Sequence, residues 1–379
     1  MGRAGSFREH PEGYRTFVPN PLPPDPPIDI DAAIWKLLSK ADRALALLDG
    51  VTGALPNPDL FVAMYIRKEA VLSSQIEGTE ASLEDVLEAE AKALRPERDG
   101  DVGEVINYIR AMNLGLKMIG EGTPLSTDLI QRIHGELMKG VRGHDKRPGE
   151  LRDTQNWIGP KGCKISEAVF IPPTVKDMRK ALGDLDGFLL SESILPDLVK
   201  VGLVHAQFET IHPFLDGNGR MGRLFITFQL TVDRLLHRPV LYQSYFFTRH
   251  KKEYYSRLQA VRMDDDFEGW LKFFLKGVHE VSQEATDTSR DIIALHERKR
   301  RQVIETNKRG SSNALKVLDY LFQQPVIAVD TLQKRLGISY GSANGIVSKF
   351  EELGILRKTM AKVRYRTYEF DEYLGLMNR

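Results

Sequence analysis

Cysteine is almost missing from this chain: Cys163 is the only one among 379 residues. A lone thiol excludes an intrachain disulfide framework and a multi-cysteine zinc site. An excess of one charge is missing too. Fifty-three basic and 52 acidic residues leave a net charge of +1, so no chain-wide positive field draws in nucleic acid, although a local patch fits that balance. No apolar run approaches the ~18 residues of a membrane span. The opening MGRAGSFREHPEG lacks the apolar stretch of a secretory signal. Cytoplasm is therefore the expected compartment, with no membrane partner. What is present, 42 % hydrophobic and 28 % charged residues, is the mix of a folded protein, with two or three domains expected at ~150 residues each.

Proline is concentrated in VPNPLPPDPPIDI, residues 18–30, which cannot propagate a helix. Residues 1–30 therefore read as an extended strap. From residue 31 the pattern changes. Ile34, Leu37, Leu38, Ala41 and Leu45 recur at helical spacing and predict a helix over 31–48, with Asp29 or Asp31 as its cap. Similar patterns predict helices over 59–73, 102–118, 127–138, 175–190, 198–211 and 219–236, and more to about 307. Residues 80–104 are acidic and helix-prone. The run VKVGLVHAQFETI is nearly apolar, so its helix should be central and buried. Between 140 and 174, turn residues separate short β-prone runs, which predicts a hairpin or flap.

A loop joins the two most apolar helices: His212-Pro-Phe-Leu-Asp-Gly-Asn-Gly-Arg-Met-Gly-Arg223. Gly217 and Gly219 bracket Asn218, so the backbone can turn tightly and point N–H groups inward. A helix begins there, and its free N–H groups suit a phosphate. Arg220 and Arg223 lie three apart at that terminus, where positive charge opposes the helix dipole unless it grips an anion. Asp216 beside such a nest makes sense with a hard cation such as Mg2+. His212 can serve as a general base for an incoming hydroxyl. Together these point to phosphoryl or nucleotidyl transfer. The alternative is a helix connection with surface arginines and a capping aspartate.

The loop resembles the Fic family motif, His-Pro-Phe-x-Asp/Glu-Gly-Asn-Gly-Arg-x-x-Arg, at every fixed position. The resemblance covers roughly residues 35–290. It implies a transferase that moves AMP from ATP, with Mg2+, to a Ser, Thr or Tyr hydroxyl of a protein, self-modification included. It implies that His212 is the base, Phe214 the buried loop anchor and Asp216 the Mg2+ ligand. Gly217, Asn218 and Gly219 would form the anion hole, with Arg220 and Arg223 on the phosphates. Upstream, Ser73-Ser-Gln-Ile-Glu77-Gly78 resembles the family's inhibitory helix motif, in which Glu77 would pair with Arg223 and occupy the γ-phosphate position. Residues 151–173 resemble the flap that docks the target, with Ile158 toward the target main chain and Trp157 packing the hairpin base. For adenine the resemblance points to the region of Tyr254 and Tyr255.

Beyond Lys308–Ser312 the pattern is helices 313–323, 329–336 and 340–353, then strands 355–358 and 366–370, the outline of a winged helix-turn-helix. Leu315, Leu318, Leu321, Leu332, Ile346 and Phe350 supply a core of its own, so a chain ending near Lys308 is expected to fold alone. Lys358, Lys362, Arg364 and Arg366 make a basic stripe. Residues 313–379 are only weakly basic, which favours protein docking or a homodimer over DNA. The expected fold is mainly α: a Fic helical core with a small β-hairpin flap, plus a C-terminal winged helix-turn-helix. Its parts are 1–100 with the strap and inhibitory helix, 101–307 as catalytic core and 311–379 as the tail domain. A DNA-binding regulator, and an enzyme that also removes AMP, are the competing readings.

Overall fold

The computed structural model describes residues 2–53, 58–91, 100–160, 162–306, 311–359 and 367–378. The strap contains a hairpin that its prolines concealed. Strands β1 (Gly5–Glu9) and β2 (Arg15–Pro19) pair antiparallel, with Phe7 opposite Phe17. Gly13, at φ 85°, makes the turn. The proline run follows the hairpin and leads to α1 (Ala32–Gly53), whose start is capped by Asp31 accepting from the Ile34 N–H at 2.7 Å.

The core is helical: α2 (Pro58–Ile76), α3 (Leu83–Ala91), α4 (Asp101–Gly120), α5 (Thr127–Leu137) and α6 (Val175–Leu190) surround α7 (Asp197–Ile211) and α8 (Asn218–Val232). Every residue of α7 from Leu198 to Ile211 is buried, as its unbroken apolar run requires. Helix α8 stops at Val232, short of the expected 236, because Arg234 turns to φ 56° and the Leu235 and Leu236 N–H groups fold back on Leu230. Short α9 (Ser244–Arg249) and α10 (Lys251–Asp264) precede α11 (Phe267–Thr306), a 40-residue helix along which α1 packs. Among the described residues no helix is long and apolar enough to cross a membrane.

The flap is less regular than the sequence implies. Among the described residues a single bridge, Ile158 with Phe170, stands where two strands are expected, beside a 3-10 turn at Ile165–Glu167. Glycines and prolines at both ends cut the ladder short.

The tail has α12 (Ser311–Gln323), β3 (Val326–Ala328), α13 (Val329–Leu336), α14 (Tyr340–Glu352), β4 (Arg357–Lys358), β5 (Thr367–Glu369) and α15 (Asp371–Met377). Its sheet order β3-β5-β4 is that of a winged helix. Strand β3 and helix α15 were not legible in the sequence. The boundary residues 308–310 and the wing residues Lys362, Arg364 and Arg366 lie outside the described residues. The apolar residues of the tail pack against the N-terminal helices. Phe322 packs on Phe61 of α2 with ring centroids 5.5 Å apart, and Gln324 donates to the Leu87 carbonyl of α3 at 3.0 Å. The apolar cores of tail, α2 and α3 are continuous.

Candidate active site

The loop 212–217 is held from three sides. Helix α7 ends on His212, which adopts the left-handed conformation at φ 51°. Phe214 is fully buried and stacks on His134 of α5, centroids 3.7 Å apart. His134 Nδ1 accepts from the Gly149 N–H, so Nε2 carries the proton and donates to the Asp216 carbonyl at 2.9 Å. Burial pushes His134 down to about 4, which keeps it neutral. From the flap, Arg152 Nε donates to the His212 carbonyl at 3.0 Å and Asn156 Nδ2 to the Phe214 carbonyl at 2.9 Å. Asn218 closes the loop on itself: Oδ1 accepts from the Phe214 N–H, and Nδ2 donates to the Phe214 carbonyl. Its side chain therefore shapes the nest, while the first N–H groups of α8 lack partners within the helix.

His212 Nδ1 is buried, so Nε2 is the nitrogen that opens to solvent. Burial, with Arg262 and Arg152 nearby, pushes the imidazole down to about 3, and it is neutral at physiological pH, as a general base requires. The Asp216 carboxylate is 42 % exposed, accepts from the Gly217 N–H at 2.6 Å and lies 4.0 Å from Arg220.

The two arginines are buried and already paired. Arg220 Nη1 donates to Glu104 of α4 at 3.0 Å. Glu104 is also held by Arg142 and by the Thr79 hydroxyl. Arg223 Nε donates to Ser73 Oγ at 2.8 Å, and Nη2 donates to the Ser73 carbonyl and, at 2.6 Å, to Glu77 Oε1. Burial alone would raise the Glu77 carboxyl; the charge and hydrogen bond of Arg223 hold it below the ordinary value instead. Glu77 follows the last residue of α2, and Gly78, at φ 93°, turns the chain away. A Cβ on Gly219 would run into Glu77 Oε1, so the carboxylate lies directly over the start of α8.

One cavity of about 740 Å³ gathers these groups. Of the residues singled out in the sequence, His212, Asp216, Gly217, Asn218, Gly219, Arg220, Arg223, Glu77, Trp157, Ile158, Tyr254 and Tyr255 line it. Ser73 and Phe214 are buried behind the wall, and Gly78 is exposed beyond the helix end. Tyr254 packs among Phe247, His205 and Trp270. His205 Nδ1 donates to the Gly222 carbonyl, so the Tyr254 hydroxyl must donate to His205 Nε2, at 2.9 Å. Tyr255 is 45 % exposed. Trp157 stays exposed, its indole N–H donating to the Cys163 carbonyl across the flap. The Ile158 N–H and C=O are both engaged within the flap, by Phe170 and Val169.

Sequence reasoning missed Glu104, His134, Arg142, Arg152, Asn156 and Glu209. Glu209 had a signal, since it is an acid in a nearly apolar helical stretch. Glu104 had none, because its partners are distant in sequence.

Models described as Fic/DOC family N-terminal and Fic/DOC family match residues 35–117 and 124–230, together half of the chain. The chain belongs to the Fic/DOC family. It is 28 % identical over 194 residues to the protein adenylyltransferase Fic of Culex quinquefasciatus, a match covering 50 % of this chain and 35 % of that one. The like-named protein of Drosophila melanogaster is 27 % identical over 193 residues, with the same shares. The matched region thus spans about a third of those relatives. A Fic family protein from Desulfovibrio desulfuricans G20 shares the fold with a TM-score of 0.56 at 19 % identity, over 91 % of this chain and 97 % of that one. A Fic-1 fragment from C. elegans aligns with a TM-score of 0.50 at 17 % identity, over 66 % and 71 % of the two chains.

Proposed function

We propose that this chain transfers AMP from ATP to a Ser, Thr or Tyr hydroxyl of a protein, and that Glu77 restrains the transfer. The observation that carries the reading is the 2.6 Å Glu77–Arg223 pair inside the cavity that also holds His212 and the start of α8. The cavity volume is within the range of nucleotide-sized sites. The N-terminus of α8, with the Gly217 and Gly219 backbone, receives phosphate oxygens. His212 Nε2 takes the proton of the target hydroxyl, whose oxygen attacks the α-phosphorus in line as the bond to pyrophosphate breaks.

The residues fit Mg2+. Asp216 offers a half-exposed hard oxygen ligand at the cavity wall, and Mg2+ typically takes one or two carboxylates plus substrate phosphates rather than an all-protein cage. Bound there, Mg2+ would neutralise charge on the phosphates. Arg223 serves the γ-phosphate once Glu77 withdraws, and Arg220, fixed by Glu104, keeps positive charge under the loop. Tyr255, half-exposed at the cavity, offers its ring to adenine, with the buried Tyr254 packed behind it. With Ile158 engaged inside the flap, the backbone groups of Trp157 and Gly159 face outward and are the ones to pair with an extended target. The winged helix serves docking rather than DNA, a reading supported by the weak basic excess of residues 313–379.

The test is incubation of the full chain with α-labelled ATP and Mg2+. Label should pass to protein, and His212→Ala should abolish it while retaining ATP binding. Equal labelling by His212→Ala would overturn the assignment of the base.

A further inference from the structure

Arg152 is a buried cation that no acid neutralises. It is 1 % exposed, and burial pushes its guanidinium down to about 10, which leaves it charged at neutral pH. Among the described residues its side chain meets backbone carbonyls alone. Nε donates to His212 at 3.0 Å, Nη1 to Thr154 at 3.3 Å, and Nη2 to Pro173. Its own N–H donates to the Pro213 carbonyl at 2.9 Å. Asn156 Nδ2 donates to the Phe214 carbonyl at 2.9 Å and reaches that of His212 at 3.4 Å. Three successive carbonyls, of His212, Pro213 and Phe214, are thus taken by donors from the first residues of the flap. The first belongs to a residue at φ 51°, a conformation that a side chain other than glycine keeps only when its surroundings impose it.

A buried guanidinium without a carboxylate is costly, so packing alone does not account for it. What it supplies is reach in a fixed plane. Its three nitrogens hold three chain segments at once, which neither the point charge of lysine nor the amide of glutamine can do. Two of those segments, at Thr154 and Pro173, are the two ends of the flap, and the third is the backbone of His212. Trp157 and Gly159, whose backbone faces a target, follow closely on this clamp. We propose that Arg152 is a positioning residue for AMP transfer: it fastens His212 to the foot of the flap, so that the general base and the docked hydroxyl keep one register. The inference rests on the transfer reading of the site. Arg152 is not among the residues that line the cavity, so ATP affinity should not depend on it.

The test uses the full chain bearing Glu77→Gly, with α-labelled ATP and Mg2+. It reads the rate of label appearing on the chain itself at saturating ATP and, separately, the equilibrium affinity for ATP. Arg152→Met and Arg152→Lys should each slow labelling at least ~10-fold, the scale of a small misplacement of a reacting group. Asn156→Ala spares the buried charge, removes the tie to Phe214, and should slow labelling by ~3-fold, the scale of one hydrogen bond. ATP affinity should stay within ~3-fold of the Glu77→Gly chain in all three. Labelling at the Glu77→Gly rate in a folded Arg152 variant, or in Asn156→Ala where neither Arg152 variant folds, would overturn the proposal while leaving the transfer reading intact. So would an ATP affinity that falls as far as the rate, which would make Arg152 a support of the whole cavity. Absence of label on the Glu77→Gly chain itself, with ATP bound, would overturn the transfer reading and this proposal with it.

Discussion

Replacing Glu104 with glutamine removes the negative charge that Arg220 and Arg142 share. The two arginines should not suffer equally. Arg142 is 57 % exposed, and a pair at such a site contributes under ~1 kcal/mol. Arg220 is 2 % exposed and faces a carboxylate that is 3 % exposed, and leaving one partner of such a pair alone costs ~3–5 kcal/mol. The glutamine oxygen can still accept one hydrogen bond, so the low end, about 3 kcal/mol, is the expected loss. At ~2 °C per kcal/mol or somewhat less in a chain of this size, the melting temperature should drop by roughly 5 °C. A second effect follows from position. The nearest remaining carboxylate is Asp216, whose Oδ1 lies 4.0 Å from Arg220 Nη2. Arg220 should turn to it, and the Mg2+ concentration needed for ATP binding should rise. Thermal unfolding and Mg2+ titrations of ATP binding read the two effects, with Arg142→Ala as the near-neutral control. A melting temperature within ~1 °C of the parent, with unchanged Mg2+ dependence, would show that Glu104 does not hold Arg220.

Two more outcomes are expected. Burial raises the Glu209 carboxyl to about 7, with Arg223 opposing and Glu77 adding to the shift; a folded value above the unfolded one means stability lost as pH rises through it, so Glu209→Gln should gain melting temperature relative to the parent between pH 5 and 8, and a constant gap would contradict the burial. A chain ending at Thr306 uncovers Phe61 and the α3 face beneath Gln324, so it should melt below the full chain, and an equal melting temperature would contradict the shared core.

The helices of the core were legible because each pairs an apolar face with a 3.6-residue period, and the loop was legible because glycines, an acid and two arginines have no packing reason to lie between apolar helices. The pairing of Glu77 with Arg223 came from a family likeness, since no spacing rule relates positions 146 apart. The β1–β2 hairpin was hidden because proline dominates the segment that follows it. The docked tail was hidden because Phe61 and Phe322 each read as ordinary core residues of their own helices, and nothing local says that they face one another. Glu209 was visible as an acid in an apolar run.

Glu77, by holding Arg223, should restrain AMP transfer. The direct measurement is the transfer rate of Glu77→Gly against the parent at saturating ATP and Mg2+ with a competent target. Freed from the carboxylate, Arg223 should seat the γ-phosphate, and transfer should rise at least ~10-fold, about 1.4 kcal/mol in the barrier. Adding Arg223→Ala to Glu77→Gly should erase most of that gain. Equal rates in the parent and Glu77→Gly would contradict the account.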